Sequence, residues 1–67
     1  MNGKYVRFRG IYLGDLYINP DYITHISVYN EDPEHPASNV HVNGEKLPIV
    51  VRGNHEEIVN DIRKQTW

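Results

Sequence analysis

Asn39-Val40-His41-Val42-Asn43-Gly44-Glu45-Lys46-Leu47-Pro48-Ile49-Val50-Val51 decides how the rest of this 67-residue chain is read. Val40 and Val42 face one way and His41 the other, the two-residue period of a half-buried strand. Asn43-Gly44 is a strong hairpin signal, because a type I′ turn needs positive φ at both central positions. Leu47, Ile49 and Val51 alternate as the returning strand. Pro48 has no N–H, so that strand lies at an edge there or bonds only through its other side.

Outward from the hairpin, residues 23–29 form a strand rich in β-branched residues. Thr24, Ile26 and Val28 share one side, taken as the buried one; Ile23, His25, Ser27 and Tyr29 share the other. Pairing of this strand with residues 39–42 brings His25 towards His41. Residues 30–38 carry two prolines, Pro33 and Pro36, and three acids, Glu31, Asp32 and Glu34, and show no apolar period, so they read as a solvated, mobile loop.

Towards the N-terminus, residues 5–9 alternate, with Val6 and Phe8 on one face and Tyr5, Arg7 and Arg9 on the other. Gly10 reads as a bulge before Ile11-Tyr12-Leu13. Gly14-Asp15 is a turn and Leu16-Tyr17-Ile18 a second strand. Asn19-Pro20-Asp21 ends it, because Pro20 cannot donate to a ladder and holds Asn19 extended. On the other side of the hairpin, Gly53-Asn54 stops the last strand. Asn54 with Glu57 three residues on is a capping-box pattern. Acids in the first turn and Arg63-Lys64 in the last suit the helix dipole. Ile58, Val59 and Ile62 give a narrow apolar stripe.

The expected fold is therefore a single small α+β domain. It is a strongly bent, five-stranded antiparallel sheet or open barrel with one C-terminal α-helix. A chain this short buries only ~60% of its unfolded surface, and without cysteine it has no disulfide or thiolate zinc site to stabilise it. Self-association into a homo-oligomer is expected, with Trp67 and Tyr22 as contacts between subunits. A net charge of −2 and a pI of about 6.0 give no global attraction to nucleic acid or to an anionic membrane. No apolar run approaches the ~18 residues of a membrane span, and the N-terminus has no signal-peptide core. A cytoplasmic protein is the expectation.

Residues 17–23 followed by Ile26, then Val42-Asn43-Gly44-Glu45-Lys46-Leu47-Pro48-Ile49-Val50-Val51, then Glu56-Glu57-Ile58-Val59, resemble the small flagellar proteins of the FlbD type. Those pair an Asn-Pro-Asp segment with an Asn-Gly hairpin and a Glu-Glu helix. The likeness spans roughly residues 5–64. It departs at Leu13-Gly14-Asp15, where the family tends to have Asn-Gly-Lys, and in a longer proline-rich loop. It implies a small sheet-plus-helix fold and a regulatory role in flagellar assembly.

The chemistry-bearing residues point to binding more than to catalysis. His25, His35, His41 and His55 match no metal-ligand spacing, so no metal and no cofactor are expected. There is no phosphate-cradling glycine loop and no cysteine nucleophile, so the expectation is a protein that is not an enzyme. Tyr and Arg are enriched in binding hot spots. Tyr5, Arg7, Arg9, Tyr12 and Tyr29, joined by His25 and His41, are the candidate binding residues. The reading is a non-enzymatic regulator, of the inhibitor or adaptor type, that docks on another protein. The alternative is a homo-oligomer that sequesters small anionic ligands such as nucleotides, with Arg7 and Arg9 as phosphate clamps.

Overall fold

Among residues 5–66, which the computed structural model describes, the elements run β1 (Val6–Arg9), β2 (Asp15–Ile18), β3 (Ile23–Asn30), β4 (Ala37–Val42), β5 (Ile49–Arg52) and α1 (His55–Thr66). All strand pairs are antiparallel, so the α+β expectation holds. The strands form two sheets, β1-β2 and β3-β4-β5. A single bridge, Gly10 to Val51, joins them, continued by the Ile11 N–H donating to the Val50 carbonyl at 3.0 Å. The sheets do not close into a barrel. No described helix is long and apolar enough to cross a membrane.

Alternation does most of the folding. Val6 and Phe8 on β1 and Ile18 on β2 turn inward to meet Val40, Val51 and Ile58, and all six are buried. Leu16, Ile23, Ile26, Val42, Ile49 and Ile62 pack around them. Each such side chain contributes roughly 1.5–3 kcal/mol of transfer free energy. Helix α1 covers this inner face with Ile58 and Ile62. Its start is held by Asn54, whose Oδ1 accepts the Glu57 N–H at 2.9 Å, as the capping pattern implied. Gly53 makes the corner from β5 to α1 at φ +110°, a conformation costly for any residue with a Cβ.

Several expectations are corrected by geometry. The Asn43-Gly44 turn is not type I′. Glu45 N–H bonds to the Val42 carbonyl at 3.1 Å and Gly44 has φ +93°, but only glycines among the described residues have positive φ. Asn43 is therefore in an ordinary region, as in a type II turn. That turn does not match the strand twist, and the chain runs on through residues 45–48 before β5 begins at Ile49. Leu47, expected to alternate with Ile49 and Val51 in the returning strand, precedes β5 and is 78% exposed.

On β3 the even alternation breaks. The register passes from Ile23 opposite Val42 to His25 opposite His41, so Thr24 is an extra, bulged residue. Ile23 thereby shares the inner face with Ile26, and Thr24 is exposed. Val28 keeps its inward parity, opposite Ser38, yet stays 42% exposed, lining an open groove whose other residues include His55, Glu56 and Glu57 at the start of α1. The bend at Asn19 is also more than a bend: Pro20–Tyr22 forms one 3-10 turn, with Asn19 Oδ1 accepting the Asp21 N–H.

Residues 31–36 are internally bonded, not a loose tip. Asn30 Oδ1 accepts the Asp32 N–H, Asp32 Oδ1 accepts the Glu34 N–H, and Asn30 Nδ2 donates to the His35 carbonyl. Strand β4 begins at Ala37, and Ala37 and Ser38, expected in the loop, are buried.

Candidate functional site

The residues singled out for binding fall into three separate places. The first is the outer face of the β1-β2 ribbon. Tyr5, Arg7 and Arg9 are exposed there, as their parity required. Arg7 forms an ion pair with Asp15 across the ribbon. The hydrogen bond and charge of the Arg7 guanidinium hold the Asp15 carboxyl below its ordinary range and raise Arg7 in return. The Arg7 amide is also engaged, by Gln65 Oε1 of α1 at 3.1 Å. Arg7 is thus occupied by its own chain.

The second place is the connection from β1 to β2. The Gly10 N–H donates to the Gly14 carbonyl at 2.8 Å, closing a tight loop around Ile11-Tyr12-Leu13. Gly10 is required: a Cβ there would lie 2.6 Å from the Gly14 oxygen and 2.9 Å from Leu16 Cδ2. Gly14 sits at φ +74°. Gly10 therefore closes a loop and does not reset a strand as a bulge. The Tyr12 and Tyr29 hydroxyls meet at 3.0 Å, and this bond raises the Tyr12 phenol above its ordinary range. Of the candidate binding residues, Tyr29 is thus joined to Tyr12. The tip is held at both ends, yet Tyr12 is 72% and Leu13 71% exposed.

The third place is the outer face of β3-β4-β5. His25 and His41 are register partners, and their rings stack with centroids 3.8 Å apart. The surrounding bonds define some of the donors. Asn39 Nδ2 donates to the Val28 carbonyl at 3.5 Å and to Ser27 Oγ at 3.3 Å; the carbonyl can only accept, which orients the amide. Ser27 Oγ also bonds His41 Nε2 at 2.9 Å, and a hydroxyl with two lone pairs can either donate to that nitrogen or accept from it. Thr24 donates its hydrogen to the His41 carbonyl at 3.1 Å, so His25 Nδ1, 3.1 Å from Thr24 Oγ1, is the donor of that contact.

Stacked rings with one Nε2 already bonded do not converge on a cation, and among the described residues no three metal-type ligands come together. Ser27 and His41 have the spacing of a nucleophile and its base. Two further requirements of acyl transfer are missing among the described residues: no carboxylate bonds His41 Nδ1, and neither residue lines the larger grooves.

Tyr22 ends the 3-10 turn with an exposed side chain, and its carbonyl accepts the Asn43 N–H at 2.7 Å. Trp67 lies outside the described residues. Sequence reasoning missed Ser27 and Asn39, although alternation places both on the face of the two histidines. It also missed Arg52, which reaches β1 only through the long-range bridge at Gly10. Comparison with protein-family models, curated proteins and solved structures finds no match to this chain.

Proposed function

We propose that the protein acts without chemistry of its own, as a regulator that docks on another protein through the Ile11–Leu13 tip. One observation carries this reading: two large side chains, Tyr12 and Leu13, are more than two-thirds exposed on a loop whose backbone is tied at Gly10, Ile11 and Gly14. Exposed apolar groups on a tied loop lose little conformational entropy on binding, the condition for an anchor residue. Tyr12 adds an amphipathic ring whose hydroxyl is already satisfied by Tyr29.

The tip is convex and needs a concave apolar partner. Two grooves of this chain carry Arg7, Arg9, Arg52, Glu57 and Asp61 in one, and Glu31, Glu56 and Glu57 in the other. A second copy therefore offers the tip a charged receptor, which favours a different protein as the occupant. A flagellar regulator of the kind the sequence resembles is one protein of this type.

The test places a photo-crosslinking side chain at Leu13 and, as a control, at Leu47, which is equally exposed on the other hairpin. A single heterologous adduct from Leu13, absent from Leu47 and lost in a Tyr12→Ser variant of unchanged circular dichroism, supports the reading. Adducts only between copies of the chain, with light scattering reporting a stable oligomer, would replace it by self-association. Equal adducts from both positions would overturn it.

A further inference from the structure

We infer that Arg9 and Arg52 form a binding site for a phosphate monoester, in the groove between β1 and α1. The antiparallel bridge of Gly10 to Val51 sets the next pair outward, Arg9 opposite Arg52, on one face of the joined strands. Like charges directly opposite each other in a sheet are destabilising. Both side chains are exposed. The ribbon's nearest carboxylate, Asp15, is opposite Arg9 in register, but it bonds to Arg7 and feels Arg9 only through space. Among the described residues neither Arg9 nor Arg52 has a carboxylate within ion-pair distance. An anion between the two guanidiniums removes their repulsion and accepts charge-assisted bonds from both.

The site is concave. Arg7, Phe8, Arg9, Arg52 and Gly53 line one wall of a groove of about 550 Å³, and α1 lines the other. The helix contributes Glu57, Asp61 and Gln65, spaced four apart and so on one face. This asymmetry selects the ligand class. The cationic wall takes one phosphate. The carboxylates opposite accept hydrogen bonds from hydroxyl or amino groups and repel further phosphates. A monophosphate ester carrying such donors fits, as in a nucleoside monophosphate, and a polyphosphate does not. The inference concerns a different surface from the Ile11–Leu13 tip and stands or falls separately from it.

Isothermal titration with AMP, inorganic phosphate and ATP tests the site on the intact chain. AMP is expected to bind more tightly than phosphate, which lacks the donors, and more tightly than ATP, which meets the acidic wall. Arg9→Ala and Arg52→Ala are each expected to weaken AMP at least about tenfold, the loss of one charged hydrogen-bonding partner. Arg63→Ala, which removes a cation that does not line this groove, retains binding. Circular dichroism verifies that each variant is folded, and a Lys replacement at position 9 or 52 gives partial recovery. Absence of AMP binding to the wild-type chain overturns the inference. So does equal binding by the Arg9→Ala and Arg52→Ala variants, or phosphate stabilising every variant alike, as an excluded salt does.

Discussion

The two faces of the β3-β4-β5 sheet are built from alternate residues of the same strands and are organised by different forces. On the inner face Ile26, Val40 and Ile49 lie side by side in register. Val40 is completely buried. One residue away, Ser27, Asn39 and Val50 make the corresponding row on the outer face, where Asn39 donates to Ser27 and Ser27 is bonded to His41. The inner row gains by removing apolar area from water, with little demand on direction. The outer row exchanges water's hydrogen bonds for directed ones of similar strength, a net gain of only about 0.5–1.5 kcal/mol each. A face can therefore be well ordered while adding little to stability. Order on the outer face is not in itself a sign of a site; exposed apolar groups on a tied loop, or facing charges without partners, are.

The comparison breaks most directly at the inner face. Ile58→Ala, which removes the helix's buried anchor, is expected to cost about 2–5 kcal/mol. A domain of this size has a total of only roughly 0.05–0.15 kcal/mol per residue, so the variant should have lost most of its cooperative thermal transition by circular dichroism. A melting curve like the wild type's would show that α1 is not what covers the sheet. Next in size is Ser38→Ala. Ser38 is fully buried and its hydroxyl donates to the Gly53 carbonyl at 2.8 Å, so the substitution leaves an acceptor without its partner, at about 1–3 kcal/mol. The urea midpoint should fall with an unchanged slope. No change would mean that the buried Ser38 hydroxyl is dispensable.

How much was legible follows the same division. Val6, Phe8, Ile18, Val40 and Val51 announce themselves by two-residue alternation, and Ile58 by helical spacing after a capping Asn54. Each is a local pattern read over a few residues. What failed depended on contacts made far away in sequence. The bulge at Thr24 follows from the register of β3 on β4. The exposure of Leu47 follows from a turn whose Asn43 carbonyl neighbour Val42 bonds Glu45 and whose Asn43 amide is held by Tyr22. The candidate site divides in the same way. His25 and His41 were legible as partners because adjacent strands bring them together. The pairing of Tyr12 with Tyr29, and the groove that Arg9 and Arg52 line together, depend on the link between two sheets. No short stretch of sequence encodes that link.

The ribbon extends the comparison to charge. Val6 and Phe8 face the core while Arg7 faces solvent and binds Asp15. The Asp15 carboxyl lies below its ordinary range when folded, through the Arg7 hydrogen bond first and its charge second. The folded state thus binds fewer protons than the unfolded chain as pH falls through that interval. The pair's contribution is present above the ordinary aspartate range and is lost as pH drops through the lowered native value. Both groups are exposed, so the effect is small and screened by salt. Urea midpoints measured between about pH 5 and pH 2 should fall less steeply for Asp15→Asn than for the wild type, and the two curves should converge in high salt. Parallel curves at low salt would show that the pair does not persist in solution.

The smallest effect is expected where the outer face is most ordered. Ser27→Ala removes the centre of the chain from Asn39 to His41, but both neighbours can turn to water, so stability should change by no more than about 0.5 kcal/mol. The consequence appears in the proton instead. Ser27 Oγ bonds His41 Nε2, and losing that partner changes which ring nitrogen of the neutral imidazole is better placed to carry the proton. Long-range proton–nitrogen spectra of neutral His41 should show a different balance of Nδ1–H and Nε2–H forms in Ser27→Ala from that in the wild type, with His25, held through Thr24, unaltered. A large loss of stability would make the outer face a second structural layer and erase the contrast with the inner one. An unchanged His41 tautomer would mean that the Ser27 bond does not orient the ring.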